Sequence, residues 1–173
     1  MRILGVDPGL CITGYGLIEA GPGGLKLIEA GVVRTSAKDD IEVRLDRIYE
    51  GLAGLMKEYK PEVLVLEQLY SHYKHPMTAI LMGHARGAVC LAARRSGAKL
   101  VGYAATRIKK AITGAGHASK YQMQRMIQDL FNMSKAPDPP DISDALALAV
   151  AHAYMTQKEP VARLTLKVNR GNR

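Results

Sequence analysis

Four acidic residues stand where apolar segments end or begin. Asp7 follows Ile3-Leu4-Gly5-Val6, and Glu67 follows Val63-Leu64-Val65-Leu66. Asp141 and Asp144 open a late apolar segment three residues apart, a spacing that puts both on one helical face. Taken singly, each acid also reads as structural. Asp7 suits the Asp7-Pro8-Gly9 turn, Glu67 is the first solvated residue after a strand, Asp141 suits an N-cap, and Asp144 suits the positive end of a helix. Together they read as chemistry. Gathered carboxylates raise one another's pKa values unless cations neutralise them. Their hard oxygens suit Mg²⁺ or Mn²⁺. A set of four can hold two ions about 4 Å apart, one activating a water and one stabilising the leaving oxygen in an in-line attack on phosphorus.

The charge distribution supplies the other half of that chemistry. Net charge is +8, from 24 Lys and Arg against 16 Asp and Glu. The 61 residues from Gln68 to Gln128 contain no acid and ten bases, Lys74, Arg86, Arg94, Arg95, Lys99, Arg107, Lys109, Lys110, Lys120 and Arg125, so the whole positive excess lies there. A smaller excess follows Met155, where Lys158, Arg163, Lys167, Arg170 and Arg173 face only Glu159. Cationic stretches of this kind attract polyanions, nucleic acid above all, although a basic surface also serves solubility. Carboxylates for metal beside bases for phosphate imply a phosphodiesterase acting on nucleic acid.

The elements that must position these groups are legible in outline. With 173 residues, 47% hydrophobic and 23% charged, the chain has the size and composition of one ordinary globular domain. Two cysteines, Cys11 and Cys90, exclude a disulfide-built module. No apolar run approaches the ~20 residues of a membrane span, and the chain begins at once with a strand, so a cytoplasmic protein with reduced thiols is expected. Residues 1–7, 12–19 and 25–35 read as an antiparallel meander. Asp39 and Glu42 suggest a capping box ahead of a helix carrying Ile41, Leu45, Ile48, Leu52, Leu55 and Tyr59 on one face, with Lys57 and Lys60 as favourable charges at its C-terminus. Residues 63–66 read as a parallel strand buried on both faces. A helix over 75–95 is rich in small residues, and its Thr78–Ala93 portion is a candidate subunit interface, tight packing within one chain being the alternative. A fifth strand at 100–103, a helix capped by Ser119 and Gln122, and a last helix from Asp141 to about Met155 complete the order β-β-β-α-β-α-β-α-α. The expected fold is a mixed α/β sheet of five strands, three antiparallel then two parallel, flanked by helices. If the first and fourth strands are parallel neighbours, Asp7 and Glu67 emerge side by side at one sheet edge.

Seven segments stand in order along the chain: Leu4-Gly5-Val6-Asp7-Pro8-Gly9, Thr13-Gly14-Tyr15-Gly16, Leu66-Glu67-Gln68, Gly83-His84-Ala85-Arg86-Gly87, Tyr103-Ala104-Ala105, Gly114-Ala115-Gly116 and Asp141-Ile142-Ser143-Asp144-Ala145-Leu146-Ala147. Over about residues 1–155 this series resembles the RuvC family of Holliday junction resolvases. The resemblance implies an RNase H-like nuclease domain over 1–156, and leaves 157–173 as a basic tail without a matching motif, with a composition open to disorder. It implies a homodimer that cuts four-way DNA junctions with Mg²⁺, two ions per site, Mn²⁺ substituting, and symmetric paired nicks. It implies Asp7, Glu67, Asp141 and Asp144 as catalytic metal ligands, and Tyr70, Lys109 and Lys120 as DNA-binding residues. Family members carry an aromatic residue, often phenylalanine, at the position of Tyr70, and some replace one of the last two acids by histidine. A branch-migration motor complex of the RuvA/RuvB type is the implied partner. The rival readings are an RNase H-like nuclease acting on RNA and a non-catalytic junction-binding protein. An actin-like kinase is disfavoured, because that fold needs two such domains.

Overall fold

A computed structural model describes residues 1–68 and 76–156. Tyr70 and the tail over 157–173 lie outside the described residues. Strands β1 (Arg2–Asp7), β2 (Ile12–Gly21) and β3 (Gly24–Arg34) form the meander. Helix α1 (Ile41–Tyr59) leads to β4 (Val63–Glu67), and α2 (Pro76–Ser96) to β5 (Lys99–Tyr103). Helices α3 (Ala105–Thr113), α4 (Lys120–Leu130) and α5 (Pro140–Thr156) follow. The sheet order is β3-β2-β1-β4-β5, with β1 antiparallel to β2 and parallel to β4. This is the expected mixed sheet, three strands antiparallel and the last two parallel.

Strand alternation sorts the core into two layers. Leu4, Val6, Leu64 and Leu66 pack with Ile48, Leu52 and Met56 of α1 and Ala85, Val89 and Ala92 of α2. Ile3, Val63 and Val65 face the other side, with Ile108, Ile112, Met123, Ile127 and α5. The second parity includes Gly5 and Asp7 in β1 and Glu67 in β4. Helix α5 lies against this face so closely that glycines are required. A Cβ on Gly5 would collide with the Ala145 carbonyl oxygen and lie 2.9 Å from the Ala149 nitrogen. One on Gly16 would stand 2.6 Å from the Leu146 side chain.

Two expectations need correction. The α1 N-cap is Asp40, one residue later than read, and it makes no side-chain cap bond. Asp39 instead closes a turn through its N–H to the Ser36 carbonyl (3.2 Å), and its carboxylate pairs with Arg47 at 3.6 Å, so the Asp39–Glu42 box does not form. Between β5 and α4 there is also a helix that the sequence order omitted. α3 is nine residues long and shows only Ile108 and Ile112 as a buried pair, too brief a repeat to stand out against its three bases. The Ser119–Gln122 capping box does form, with N–H donors at 2.8 and 3.2 Å. In α2 the alanines Ala85, Ala92 and Ala93 are buried in the core, whereas Gly83 and Gly87 have nothing within 4 Å of a built Cβ.

The glycine contrast is directly testable by chemical denaturation. Gly5→Ala forces backbone against backbone and is expected to cost about 3 kcal/mol or more. Gly54→Ala, on an exposed turn of α1 with open space around it, is expected to stabilise by about 0.5–1 kcal/mol. Equal effects from the two would refute the close approach of α5.

Candidate active site

The carboxyl edge of β1 and β4 opens into a cavity of about 320 Å³. Its polar walls are Asp7, Glu67, Lys109, Lys120 and Asp144, and Ala105, Ile108, Met123, Ala147 and Leu148 supply apolar lining. The β1–β4 register runs Ile3↔Val63 to Val6↔Leu66, so Asp7 and Glu67 are the next residues of adjacent parallel strands. Alternation turns both toward α5. Asp144 comes from the second turn of α5, and α3 and α4 deliver Lys109 and Lys120.

Asp141 is held by backbone packing. Gly14 is the ladder partner of Asp7, and a Cβ there would collide with the Asp141 carbonyl oxygen and stand 2.9 Å from the Asp141 Cβ. Asp141 thus sits one helical turn before Asp144, close enough to act electrostatically on Asp7, but it is not part of the cavity wall. The structure therefore brings three of the four acids to the cavity itself and puts the fourth at its rim.

Several supports were not singled out in the sequence. Arg86 donates from Nη1 to the Glu67 carbonyl at 2.5 Å, and the Gln68 N–H donates to the Tyr103 carbonyl at 2.8 Å. These bonds fix the backbone on both sides of the Glu67–Gln68 peptide. The fully buried Thr13 donates from Oγ1 to the Gly9 carbonyl (2.7 Å) and staples the turn that follows Asp7. The signal for Arg86 was a lone cation within a helix segment of alanine and glycine. For Thr13 it was a small hydroxyl residue at a glycine-rich strand start.

The electrostatics are those of a crowded anionic site. The Asp7 pKa is pushed up to about 6, first by burial and then by Asp144, Asp141 and Glu67, with Lys120 opposing. The Glu67 carboxyl is raised by partial burial and by Asp144, with Lys109 opposing. Lys120 Nζ stands 2.7 Å from Asp144 Oδ2, and this bond raises the Lys120 pKa. Among the described residues, no three acidic, histidine or cysteine side chains form a ready-made ion cage. The donor set nevertheless fits a hard divalent ion: three carboxylates share one cavity, and the repulsion between them is what a cation would relieve.

A carboxyl whose pKa is higher folded than unfolded binds its proton more tightly in the native state. Its stability contribution is largest at acid pH and is lost as pH rises from about 4 through about 6. In chelator, wild-type stability should therefore fall across that window. Asp7→Asn should flatten the fall and be more stable than wild type at pH 7.5 by about 1–3 kcal/mol. Denaturant titrations at a series of pH values check this, and a less stable Asn variant would contradict the electrostatic account.

Comparison with known proteins agrees with this architecture. The family model described as crossover junction endodeoxyribonuclease RuvC matches residues 3–152. A crossover junction endodeoxyribonuclease RuvC of Rhodopirellula baltica is 43% identical over 88% of this chain and 86% of its own length. Its Moorella thermoacetica counterpart is 42% identical over 88% and 91%. The solved structure of Thermus thermophilus RuvC with a Holliday junction substrate superposes with a TM-score of 0.84 at 31% identity, covering 90% of this chain and 94% of that one. The yeast mitochondrial Holliday junction resolvase Ydc2 shares the fold at a TM-score of 0.64 and 14% identity, over 88% and 77% of the two chains. With the family model matched over residues 3–152 and relatives above 40% identical across most of both chains, this protein belongs to the RuvC family.

Proposed function

We propose that this protein is a metal-dependent endonuclease that resolves four-way (Holliday) DNA junctions by symmetric paired nicks. The observation that carries the reading is the convergence of Asp7, Glu67 and Asp144 with Lys109 and Lys120 on one open cavity, in a chain of the RuvC family. Asp7, Glu67 and Asp144 would hold the divalent cation, with Asp141, one helical turn before Asp144, as the fourth donor. Mg²⁺ is the assigned ion, two per site by the number of carboxylates, and Mn²⁺ is an adequate substitute. A cation bound there would supply Lewis acidity toward an attacking water and toward the phosphoryl oxygens. Lys109 and Lys120, from α3 and α4, orient the scissile phosphate in the same cavity. Arg86 keeps Glu67 aimed by holding its carbonyl. Tyr70, three residues past Glu67, is assigned to stack on a base near the junction centre.

One chain carries one such cavity, and two symmetric cuts call for two sites related by a two-fold axis. The outward stripe of α2 supplies the surface. Met77, Ile80, Leu81 and Leu91 are exposed there, between 37% and 66%, beside the open glycines Gly83 and Gly87. Pairing of two such helices across a dyad gives the homodimer. A branch-migration motor of the RuvA/RuvB type delivers the junction, and the DNA substrate sets the cytoplasm as the place of action. Among the described residues no helix is long and apolar enough to cross a membrane.

Two experiments test this reading. On a labelled mobile junction with cuts mapped on all four strands, Asp7→Asn, Glu67→Gln and Asp144→Asn are each expected to lower cleavage by about 10³ or more, with junction binding within about threefold of wild type. Near-normal cutting by any of them, or equal cutting of linear duplex or RNA, would overturn the assignment. For the dimer, Ile80→Glu with Leu91→Glu should sediment as a monomer at micromolar concentration and lose the coupling of the two nicks; a wild-type monomer would sink the proposal.

A further inference from the structure

At the other end of the sheet and on its other face, the C-terminal halves of α1 and α2 enclose a second hollow of about 570 Å³. It lies beside the start of β4, whose far end carries Glu67, and none of its lining residues is shared with the candidate active site. Tyr49, Ala53, Met56, Pro61 and Ala92 give it an apolar lining. Lys57, Lys60 and Arg95 line it as well, and all three are exposed.

Three features separate this hollow from an ordinary solvated helix end. First, the cations are not balanced locally. The one acid lining it, Glu62, is already engaged: its Oε1 accepts from the Arg2 N–H at 3.0 Å and lies 3.7 Å from the terminal ammonium. Among the described residues none of Lys57, Lys60 and Arg95 pairs with a carboxylate. Second, Lys60 is the C-cap of α1 and has φ 48°, the left-handed region. Glycine takes that position at no steric cost, whereas a lysine there costs of order 1 kcal/mol. Third, helix-dipole compensation explains a base in the last turn of each helix, but not a concave apolar lining between them.

We propose that this hollow is a docking site for an acidic segment of a partner protein, with an aliphatic or aromatic side chain in the hollow and flanking carboxylates on Lys57, Lys60 and Arg95. A protein segment is favoured over nucleic acid because the sugar-phosphate backbone offers cations a ligand but offers an apolar recess none. The site is also turned away from the cavity at which the phosphodiester is cut. The proposal does not depend on the nuclease reading.

The probe is a fluorescein-labelled peptide with four acidic residues around a Leu-Phe pair, followed by anisotropy on the full chain. Lys57→Glu with Lys60→Glu and Arg95→Glu is expected to weaken its binding about tenfold or more. Reversal of Lys26, Lys38 and Lys135, an equal charge change elsewhere, should leave it within about twofold. Lys60→Gly separates strain from function: it should raise Tm yet weaken the peptide about threefold. Excess linear duplex should not displace the peptide, and junction cleavage by the triple variant should stay within about twofold of wild type. The proposal fails if the peptide does not bind, if the two triple reversals act alike, if Lys60→Gly leaves affinity unchanged, or if the groove reversal lowers junction binding and duplex displaces the peptide. The last result would make the hollow a DNA contact instead.

Discussion

The approach of α5 to the sheet is the constraint on which the rest of the structure depends. A helix normally stands off a sheet by the thickness of its side chains. Here Gly5, Gly14 and Gly16 remove the side chains on the facing strands, and the α5 backbone near Asp141, Ala145 and Ala149 takes their place. Ala145, Ala147, Ala149, Ala151 and Ala153 keep the helix thin, and all are buried. The consequence is positional. Asp144 cannot meet a strand-borne carboxylate across a full layer of leucines, but it can across a layer of glycine and alanine. Close packing of this kind is also stiff, because neither partner has a side chain that can yield. The anionic site therefore inherits its geometry from backbone contacts, which a loop could not supply.

The sequence disclosed the site better than the frame around it, for physical reasons. Strand parity is a strict period of two, so once β1 and β4 are adjacent, Asp7 and Glu67 must share a face; their register in the sheet shows this. Asp141 and Asp144 follow from helical spacing alone. Helix α3 escaped because its period shows in only two buried residues, Ile108 and Ile112. The α1 cap was misplaced because Asp39 and Asp40 are equally good capping residues on paper. In the fold Asp39 is tied into the preceding turn by its N–H to Ser36 and its carboxylate lies beside Arg47, which leaves Asp40 at the cap. Arg86 was hidden for a related reason: its partner is a backbone carbonyl 19 residues away, and no side-chain pattern marks a carbonyl.

The small residues of α2 show how one composition can serve two surfaces. Ala85, Ala92 and Ala93 are buried against the core that α1 shares. Gly83 and Gly87 lie on the far side, among exposed Ile80, Leu81 and Leu91. Sequence could not separate packing within a chain from packing between chains, since both want small side chains. The three-dimensional placement divides them by face, alanine inward and glycine outward. Glycine costs a helix more than alanine, so its use on the outer face is a propensity loss that intramolecular packing does not repay.

Charge is segregated along the chain and brought together by the fold. All four acids of the site come from outside the acid-free stretch of 61 residues, and Arg86, Lys109 and Lys120 all come from within it. The topology interleaves them: β1 and α5, from opposite ends of the sequence, supply acids, while α3 and α4, from the middle, close the cavity with lysines. The two signs do not simply cancel. Lys120 forms its 2.7 Å bond with Asp144, whereas Asp7, raised first by burial, keeps its pKa near 6 despite that cation. Uncompensated carboxylate charge therefore persists beside two lysines in one cavity, the arrangement that the proposed binding of a divalent ion and a phosphodiester would use.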